Sequence, residues 1–379
     1  MTKVLKNILY LSSFGDLGRG GQESLFHLVT NLNRKRYEPF VVLPVRGSLM
    51  TKLETAGIKT RVVAFPKIFN FKIHSNVAAV YNLMRRCVDN RVDLIHSDGP
   101  RNTFYGGIVG RLRHIPLVWH IRASNRDRYD RLLYRMSSKI ILVAQALRTR
   151  FSWTNNNAKF VTIHNGIDLS ALRIGTEGPT IRQQFNIDKE ELLIAVTARV
   201  EQLKGQKFLI EACGKLKNRI PQQIRLLLAG EIMDPGYQRE CESMAIAYGI
   251  KDSIIFGGHL GNIGQLLTEA DIFVLPSLFE AFPRAVIEAM GAGKPVVATD
   301  VGGCTEAVEN EVSGFIVPPA NVPALVDVLL KLGKDKQLRV NVGKAARSRA
   351  EKKFNIEENV RQTEKVYHEL LAGGQDVIV

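Results

Sequence analysis

Two carboxylates stand eight residues apart in Glu280-Ala-Phe-Pro-Arg-Ala-Val-Ile-Glu288, just after the apolar run Ile272–Leu275 and the turn Pro276-Ser277. Pro283 suits the first position of a helix, where its missing N–H costs nothing. Ala285, Val286, Ile287, Ala289 and Met290 continue that helix until Gly291 and Gly293. Glu280 then lies on the loop and Glu288 about one and a half turns inside. Phe282 falls at the cap position and cannot cap. The first N–H groups, at Arg284 and Ala285, therefore need an outside partner, and phosphate is one that a helix start accepts. One carboxylate can hold sugar or ribose hydroxyls while the helix end holds the phosphate.

Three more loops carry candidate chemistry. Arg199-Val-Glu-Gln-Leu-Lys204-Gly205 follows an apolar run and sets two cations five residues apart. Arg offers a fork of donors and Lys a point charge, a pair able to clamp a diphosphate; a plain surface-charge reading stays open. His120 ends the run Pro116-Leu-Val-Trp-His120, with Arg122 two residues on. A histidine at a strand's carboxyl end faces the ligand side of an open sheet, although a lone histidine is often structural. The loop from Gly15 to Glu23 holds Gly18, Gly20 and Gly21 and starts a helix. Such glycines let the backbone approach a ligand, or simply make a tight turn. Glu23 stands where a dinucleotide fingerprint needs its last small residue, so that fingerprint fails. There is no Asp-x-Asp pair, no HExxH, no P-loop and no Gly-x-Ser-x-Gly. Leaving-group charge must then be met by Arg199, Lys204 and a helix dipole, without a metal.

These loops need strands to place them. Short β-branched or apolar runs recur at Ile8–Ser12, Phe40–Pro44, Arg61–Phe65, Asp93–His96, Leu117–Ile121, Lys139–Val143 and Phe160–Ile163. After a polar stretch near Ser170 to Thr180 come Leu193–Thr197, Arg225–Ala229, Ser253–Phe256, Ile272–Leu275, Val296–Thr299 and Phe315–Val317. Helical periodicity lies between them. Strands alternating with helices predict two doubly wound, Rossmann-like α/β domains, over 1–170 and 171–352. Ile356, Val360, Thr363, Tyr367 and Leu370 form one stripe of a long helix within 353–379, which either finishes the second domain or crosses back to the first. From Gly373 the chain reads as a frayed tail.

The 379 residues fit two domains, and ordinary apolar and charged content excludes collagen-like and disordered classes. Cys87, Cys213, Cys241 and Cys304 share no metal-ligand spacing, and reduced thiols in a cytoplasmic protein are expected. No apolar run reaches the ~18–20 residues of a membrane helix. The formal charge is +15 and sits on one side. Residues 1–170 carry 27 Lys and Arg against 10 Asp and Glu, an excess of +17, densest from Arg111 and Arg113 through Arg122, Arg126, Arg128, Arg131, Arg135 and Lys139 to Arg148 and Arg150. Such a surface attracts polyanions or an anionic membrane face. Without zinc-finger spacing or an RNP-like motif, nucleic acid is not expected.

Taken in order, the Gly20-Gly21 loop, His120, Asn165-Gly-Ile-Asp168, Arg199-x4-Lys204-Gly, Glu280-x7-Glu288 and Val301-Gly-Gly-x2-Glu306 resemble the retaining glycosyltransferases of the two-Rossmann (GT-B) architecture, family four. The resemblance spans nearly the whole chain. It implies two domains facing across a cleft, the C-terminal helix crossing back to the first, and transfer from a nucleotide-diphosphate sugar, UDP or GDP, without a metal or other cofactor. Glu288 would hold ribose hydroxyls and Glu280 donor-sugar hydroxyls. Arg199 and Lys204 would bind the diphosphate, with the segment Phe282, Pro283, Arg284 and Ala285 beside it. His120 would orient donor and acceptor, and Gly20 and Gly21 would let the first loop approach. The first, basic domain would take a glycan or lipid-linked acceptor, in cell-envelope or lipopolysaccharide-type synthesis on the cytoplasmic membrane face. A phosphorylase, an epimerase or a catalytically silent sugar-nucleotide-binding partner are the alternatives. Pro283 replaces a glycine common in the family and removes one N–H donor. Ala144-Gln145-Ala146 stands where many members carry Val-Ser-Glu-Ala.

Overall fold

A computed structural model describes residues 5–18, 20–68, 73–173 and 179–372. The chain divides into two compact units. Residues up to Gly166 together with those from Ile356 onward form one, and Ile167–Asn355 form the other.

Among the described residues the first unit holds seven strands: β1 (Lys6–Leu11), β2 (Tyr37–Leu43), β3 (Lys59–Val62), β4 (Val92–Ser97), β5 (Leu117–Ile121), β6 (Lys139–Leu142) and β7 (Phe160–Thr162). They form one sheet in the order β3-β2-β1-β4-β5-β6-β7, and its pairings are parallel. Apolar residues on both faces explain the near-continuous hydrophobic runs in sequence. Ile8, Tyr10, Val41, Leu94, Val118 and Ile141 point to one face, and Leu9, Leu11, Val42, Ile95 and Leu117 to the other. Helix Ile356–Ala372 covers the first of these faces and buries Ile356, Val360, Val366 and Tyr367 there. Its stripe completes this core rather than that of the unit just before it in the chain.

The second unit contains β8 (Leu192–Thr197), β9 (Ile224–Ala229), β10 (Ile254–Gly258), β11 (Ile272–Leu275), β12 (Val296–Thr299) and β13 (Phe315–Val317). Their order is β10-β9-β8-β11-β12-β13, again with parallel pairings. In each sheet the strand order reverses beside the first strand of its unit, the arrangement that opens a crevice at the carboxyl ends. Side chains of Asp234, Asn262, Asn321 and Asp335 cap four helices of this unit. All four cysteines are free thiols and buried. The tail from Gly373 and the centre of the Ser170–Thr180 stretch lie outside the described residues.

Candidate active site

The expected residues fall into two clusters, one in each unit. In the second unit, Gln202–Lys204 make a single 3-10 turn after β8, and Gly205 ends it in the left-handed region at φ 65°. A Cβ at Gly205 would run into the Pro276 carbonyl oxygen, so the β8 loop can lie directly on the loop after β11. Leu278 donates its N–H to the Leu203 carbonyl at 2.9 Å. Across this seam Lys204 Nζ donates to Glu280 Oε1 at 2.6 Å, and Ser277 Oγ donates to the same oxygen at 2.7 Å. Both members of the ion pair are largely buried, so the charges face little screening solvent.

The Val301-Gly-Gly segment supports Glu280 from below. Gly302 has φ 52°, and a Cβ there would land on the Glu280 carbonyl oxygen. Gly303 donates its N–H to the Ala281 carbonyl at 3.0 Å. Thr299 Oγ1 on β12 donates to the Ser277 carbonyl. The glycines are thus the platform under the acidic loop.

The helix after that loop is Arg284–Gly291, and its cap is Pro283, not Phe282. Pro283 keeps an extended ψ of 92°, so the helix begins one residue later than its preference for the first helical position predicts. Phe282 is buried, with its ring 5.6 Å from that of Phe354. Val286 and Ile287 both donate to the Pro283 carbonyl, while Pro283 supplies no side-chain cap. Arg284 and Ala285 open the helix, and Glu288 lies one turn in. Arg284 Nε donates to Glu288 Oε1 at 2.7 Å, which fixes the carboxylate's orientation. Arg199 is apart from this seam: its guanidinium pairs with Glu201 at 2.8 Å and is about two-fifths exposed.

In the first unit, His120 is buried on β5. Its Nδ1 lies 3.0 Å from His96 Nε2 and 3.2 Å from Arg122 Nη2. Arg122 Nη1 donates to Asn165 Oδ1 at 3.2 Å. A Cβ at Gly21 would stand 3.4 Å from Arg122 Cδ, so the glycine loop borders this cluster. Gly20 is the first residue of helix Gly20–Thr30, and Arg19 lies outside the described residues. The Asn165-Gly-Ile-Asp168 turn splits its roles. Asn165 holds Arg122, whereas Asp168 accepts from Ser170 and Ala171 in a local turn of the other unit.

His96 and Asp98 were not singled out by sequence, although both stand at the carboxyl end of β4, the position that marked His120. Asp98 accepts from Ser13 Oγ at 2.7 Å, and burial raises its carboxyl above the usual range against the pull of Ser13 and Arg122. Burial also pushes His96 down to about 3, and lowers His120 strongly, with Arg122 reinforcing both. Both rings are neutral at pH 7, so His120 serves as a hydrogen-bonding group rather than a cation.

This neutrality has a measurable consequence. Unfolded histidines titrate near 6.5, so below that pH the unfolded chain binds protons that the folded chain refuses. Stability is full above pH 6.5 and falls as the pH falls toward the folded values. At pH 5.5 the two rings together cost about 3 kcal/mol. Urea unfolding at pH 7.5 and 5.5 should show this loss, and His96→Gln should remove about half of it. An unchanged pH dependence in the variant would refute the buried neutral pair.

Part of the basic excess is structural. Arg150 makes two hydrogen bonds to Asp130 within the core. Arg148 donates to the Phe151 and Thr154 carbonyls and lies over the Phe160 ring. Among the described residues, no group of three His, Cys, Asp or Glu is placed to hold a metal ion, and no helix is long and apolar enough to cross a membrane.

Comparison with known proteins finds two matching family models. The family "Glycosyl transferases group 1" matches residues 178–349, and "Glycosyltransferase Family 4" matches 18–171. The Escherichia coli UDP-Gal:alpha-D-GlcNAc-diphosphoundecaprenol alpha-1,3-galactosyltransferase is 22% identical over 327 residues, 80% of this chain and 82% of its own. The Campylobacter jejuni N,N'-diacetylbacillosaminyl-diphospho-undecaprenol alpha-1,3-N-acetylgalactosaminyltransferase is 22% identical over 89% of this chain and 93% of its own. The Anabaena Alr3699/HepE structure, solved with UDP, shares the fold at a TM-score of 0.82 and 23% identity, over 96% of this chain and 100% of that one.

Proposed function

We propose, from the premise that this chain belongs to the family 4, group 1 glycosyltransferases and uses a nucleotide-diphosphate sugar, that it carries out metal-independent, retaining transfer to a lipid-linked envelope glycan. The observation that carries this reading is the seam of the second unit. One cation, Lys204, and two oriented carboxylates, Glu280 and Glu288, sit on adjoining post-strand segments. Lys204 and Arg199 neutralise the diphosphate, Glu288 takes the ribose hydroxyls, and Glu280 takes hydroxyls of the donor sugar. In the first unit, His120 offers its N–H to a sugar hydroxyl, with Arg122 and Gly21 beside it. In the reaction, the anomeric carbon's bond to the diphosphate oxygen breaks on the face where the acceptor oxygen bonds. The acceptor proton passes to the departing phosphate oxygen, so charge and atoms balance without a metal. The two bacterial relatives named for diphosphoundecaprenol-linked acceptors support a polyprenyl-diphosphate glycan as the first acceptor to test.

Thermal unfolding with UDP, GDP, ADP, CMP and their sugar conjugates, in chelator, tests the donor. A ligand at 100 times its Kd stabilises by about 2.7 kcal/mol. One nucleoside diphosphate should do so, and its sugar conjugate should release it on transfer. Stabilisation by none would overturn the donor-site reading, and stabilisation without transfer would mark a silent sugar-nucleotide-binding partner. Sugar release driven by inorganic phosphate would mark a phosphorylase.

The acceptor side is assigned to a peripheral position on an anionic bilayer. On helix Ile73–Asp89, Val77, Tyr81 and Val88 are exposed at 61%, 59% and 49% and lie at i, i+4 and i+11, with the exposed Arg85 beside them. An apolar stripe flanked by cations suits the interfacial plane, and each basic residue near an anionic surface adds about 1 kcal/mol. Sedimentation should recover the protein with phosphatidylglycerol vesicles at low salt and much less of the Tyr81→Glu variant. Equal recovery with neutral vesicles would remove the anionic surface from the reading.

A further inference from the structure

Four buried rings form a continuous line of hydrogen bonds on one face of the first sheet. Tyr10 OH lies 2.8 Å from Tyr367 OH, and Tyr367 OH lies 2.6 Å from His96 Nδ1. His96 Nε2 lies 3.0 Å from His120 Nδ1, which Arg122 Nη2 also approaches at 3.2 Å. Tyr10, His96 and His120 come from the adjoining strands β1, β4 and β5. Tyr367 comes from the last helix of the chain, about 250 residues after His120 in the sequence.

The direction of the line is fixed by its open end. Arginine only donates, so His120 Nδ1 must accept, and the neutral ring carries its proton on Nε2. His96 Nε2 must then donate to His120 Nδ1, which leaves His96 Nδ1 as an acceptor. Tyr367 donates to that nitrogen and accepts in turn from Tyr10. Every polar atom along the line is satisfied in this single polarity. The exception is His120 Nε2, which is buried and has no hydrogen-bond partner among the described residues. A buried donor without a partner is costly, and here it belongs to a ring already placed on the sugar side.

We propose that His96 and Tyr367 are positioning residues that lock His120 in its Nε2–H tautomer, so that this one buried N–H is a pre-set donor to a hydroxyl of a sugar substrate. The inference rests on the transferase reading for its ligand but not for its tautomer. A hydroxyl that accepts from His120 keeps its own proton for a second acceptor. The other tautomer would present a lone pair and reverse that pattern. The last helix is then part of the active-site apparatus as well as the core. Fixing a ring's tautomer through a buried neighbour is a known source of large rate effects.

The test uses the full chain with 15N-labelled imidazoles, and His120→Asn assigns the His120 signals. Wild type should show both His96 and His120 protonated at Nε2 and bare at Nδ1. His96→Leu, which removes the donor, should let a fraction of His120 take the other tautomer. It should also lower kcat about tenfold with the donor KM nearly unchanged. His96→Gln can accept from Tyr367 through Oε1 and donate to His120 through Nε2, and should keep kcat within about threefold. Tyr367→Phe should fall between them, while Tyr10→Phe, which leaves the Tyr367 donor in place, should keep the wild-type tautomers. A wild-type His120 protonated at Nδ1, or a His96→Leu variant with wild-type tautomer, overturns the proposal. If the wild type transfers no sugar, the transferase reading fails, and the nitrogen spectra alone still decide the relay.

Discussion

Lys204→Ala should lower kcat about a thousandfold while the protein stays folded. The departing nucleoside diphosphate gains negative charge as the anomeric bond stretches, and a pre-placed donor removed from such a site costs ~10²–10³ in rate. Lys204 has three N–H donors. Glu280 Oε1 takes one at 2.6 Å, which orients the ammonium and leaves the others for phosphate oxygens. The variant does more than delete a cation. It leaves the Glu280 carboxylate, held by Ser277 Oγ, beside an incoming dianion, and breaking a buried pair penalises the partner left behind. Glu280→Gln on top of Lys204→Ala should therefore recover part of the loss, and the two changes should be far from additive. Steady-state rates for the four members of this cycle, each checked by thermal unfolding, measure it. A Lys204→Ala rate within tenfold of wild type would show that Arg199 and the helix start carry the diphosphate without it.

The readability of this pair in sequence has a physical cause. Parallel strands buried on both faces leave unbroken apolar runs, so all thirteen strands, β1 to β13, announce themselves, with ends displaced by up to three residues. Ligand sites follow the carboxyl ends of such strands, which is why Arg199, Lys204, Glu280 and His120 could be picked from the residues at or after the ends of the runs. Partner choice was less accessible. The seam between Lys204 and Glu280 needs Gly205 lying on Pro276, a contact 71 positions apart in the chain. The cap at Pro283 rests on its extended ψ of 92°, a backbone angle that residue type alone does not give. His96 obeyed the same positional rule as His120 yet went unmarked; its ring partners, His120 and Tyr367, lie 24 and 271 positions away in the chain. Tyr367 was visible only as one member of an apolar stripe. Its hydroxyl bonds to Tyr10 and His96, and periodicity weighs side chains by hydrophobicity, so the polar tip of a core tyrosine leaves no trace in it. The basic excess shows the opposite limit: composition counted Arg148 and Arg150 as surface charge, whereas both are spent on internal carbonyls, Asp130 and aromatic faces.

Glu288→Ala should abolish nucleotide binding while leaving the fold intact. Glu288 is one turn inside helix Arg284–Gly291, on a partly buried face, and Arg284 Nε occupies only its Oε1. A carboxylate has about four acceptor sites, so the group can still take two ribose hydroxyls side by side. Hydrogen bonds to a charged acceptor contribute about 1.5–3 kcal/mol each, and losing two weakens the donor by roughly a thousandfold. The stabilisation by nucleoside diphosphate seen in wild type should then vanish at the same ligand concentration. The variant's own melting temperature should fall without loss of the fold, because both side chains of the pair are largely buried and the change leaves the Arg284 guanidinium without this carboxylate. Arg284→Ala separates the two roles of the pair. It frees the carboxylate without removing it, so donor binding should weaken about tenfold or less. Equal losses in the two variants would mean that the ribose is read by Arg284 instead. Since a ribose contact is blind to the base, the loss in Glu288→Ala should be the same for every nucleoside diphosphate that binds wild type, whereas a base-reading residue would change their order.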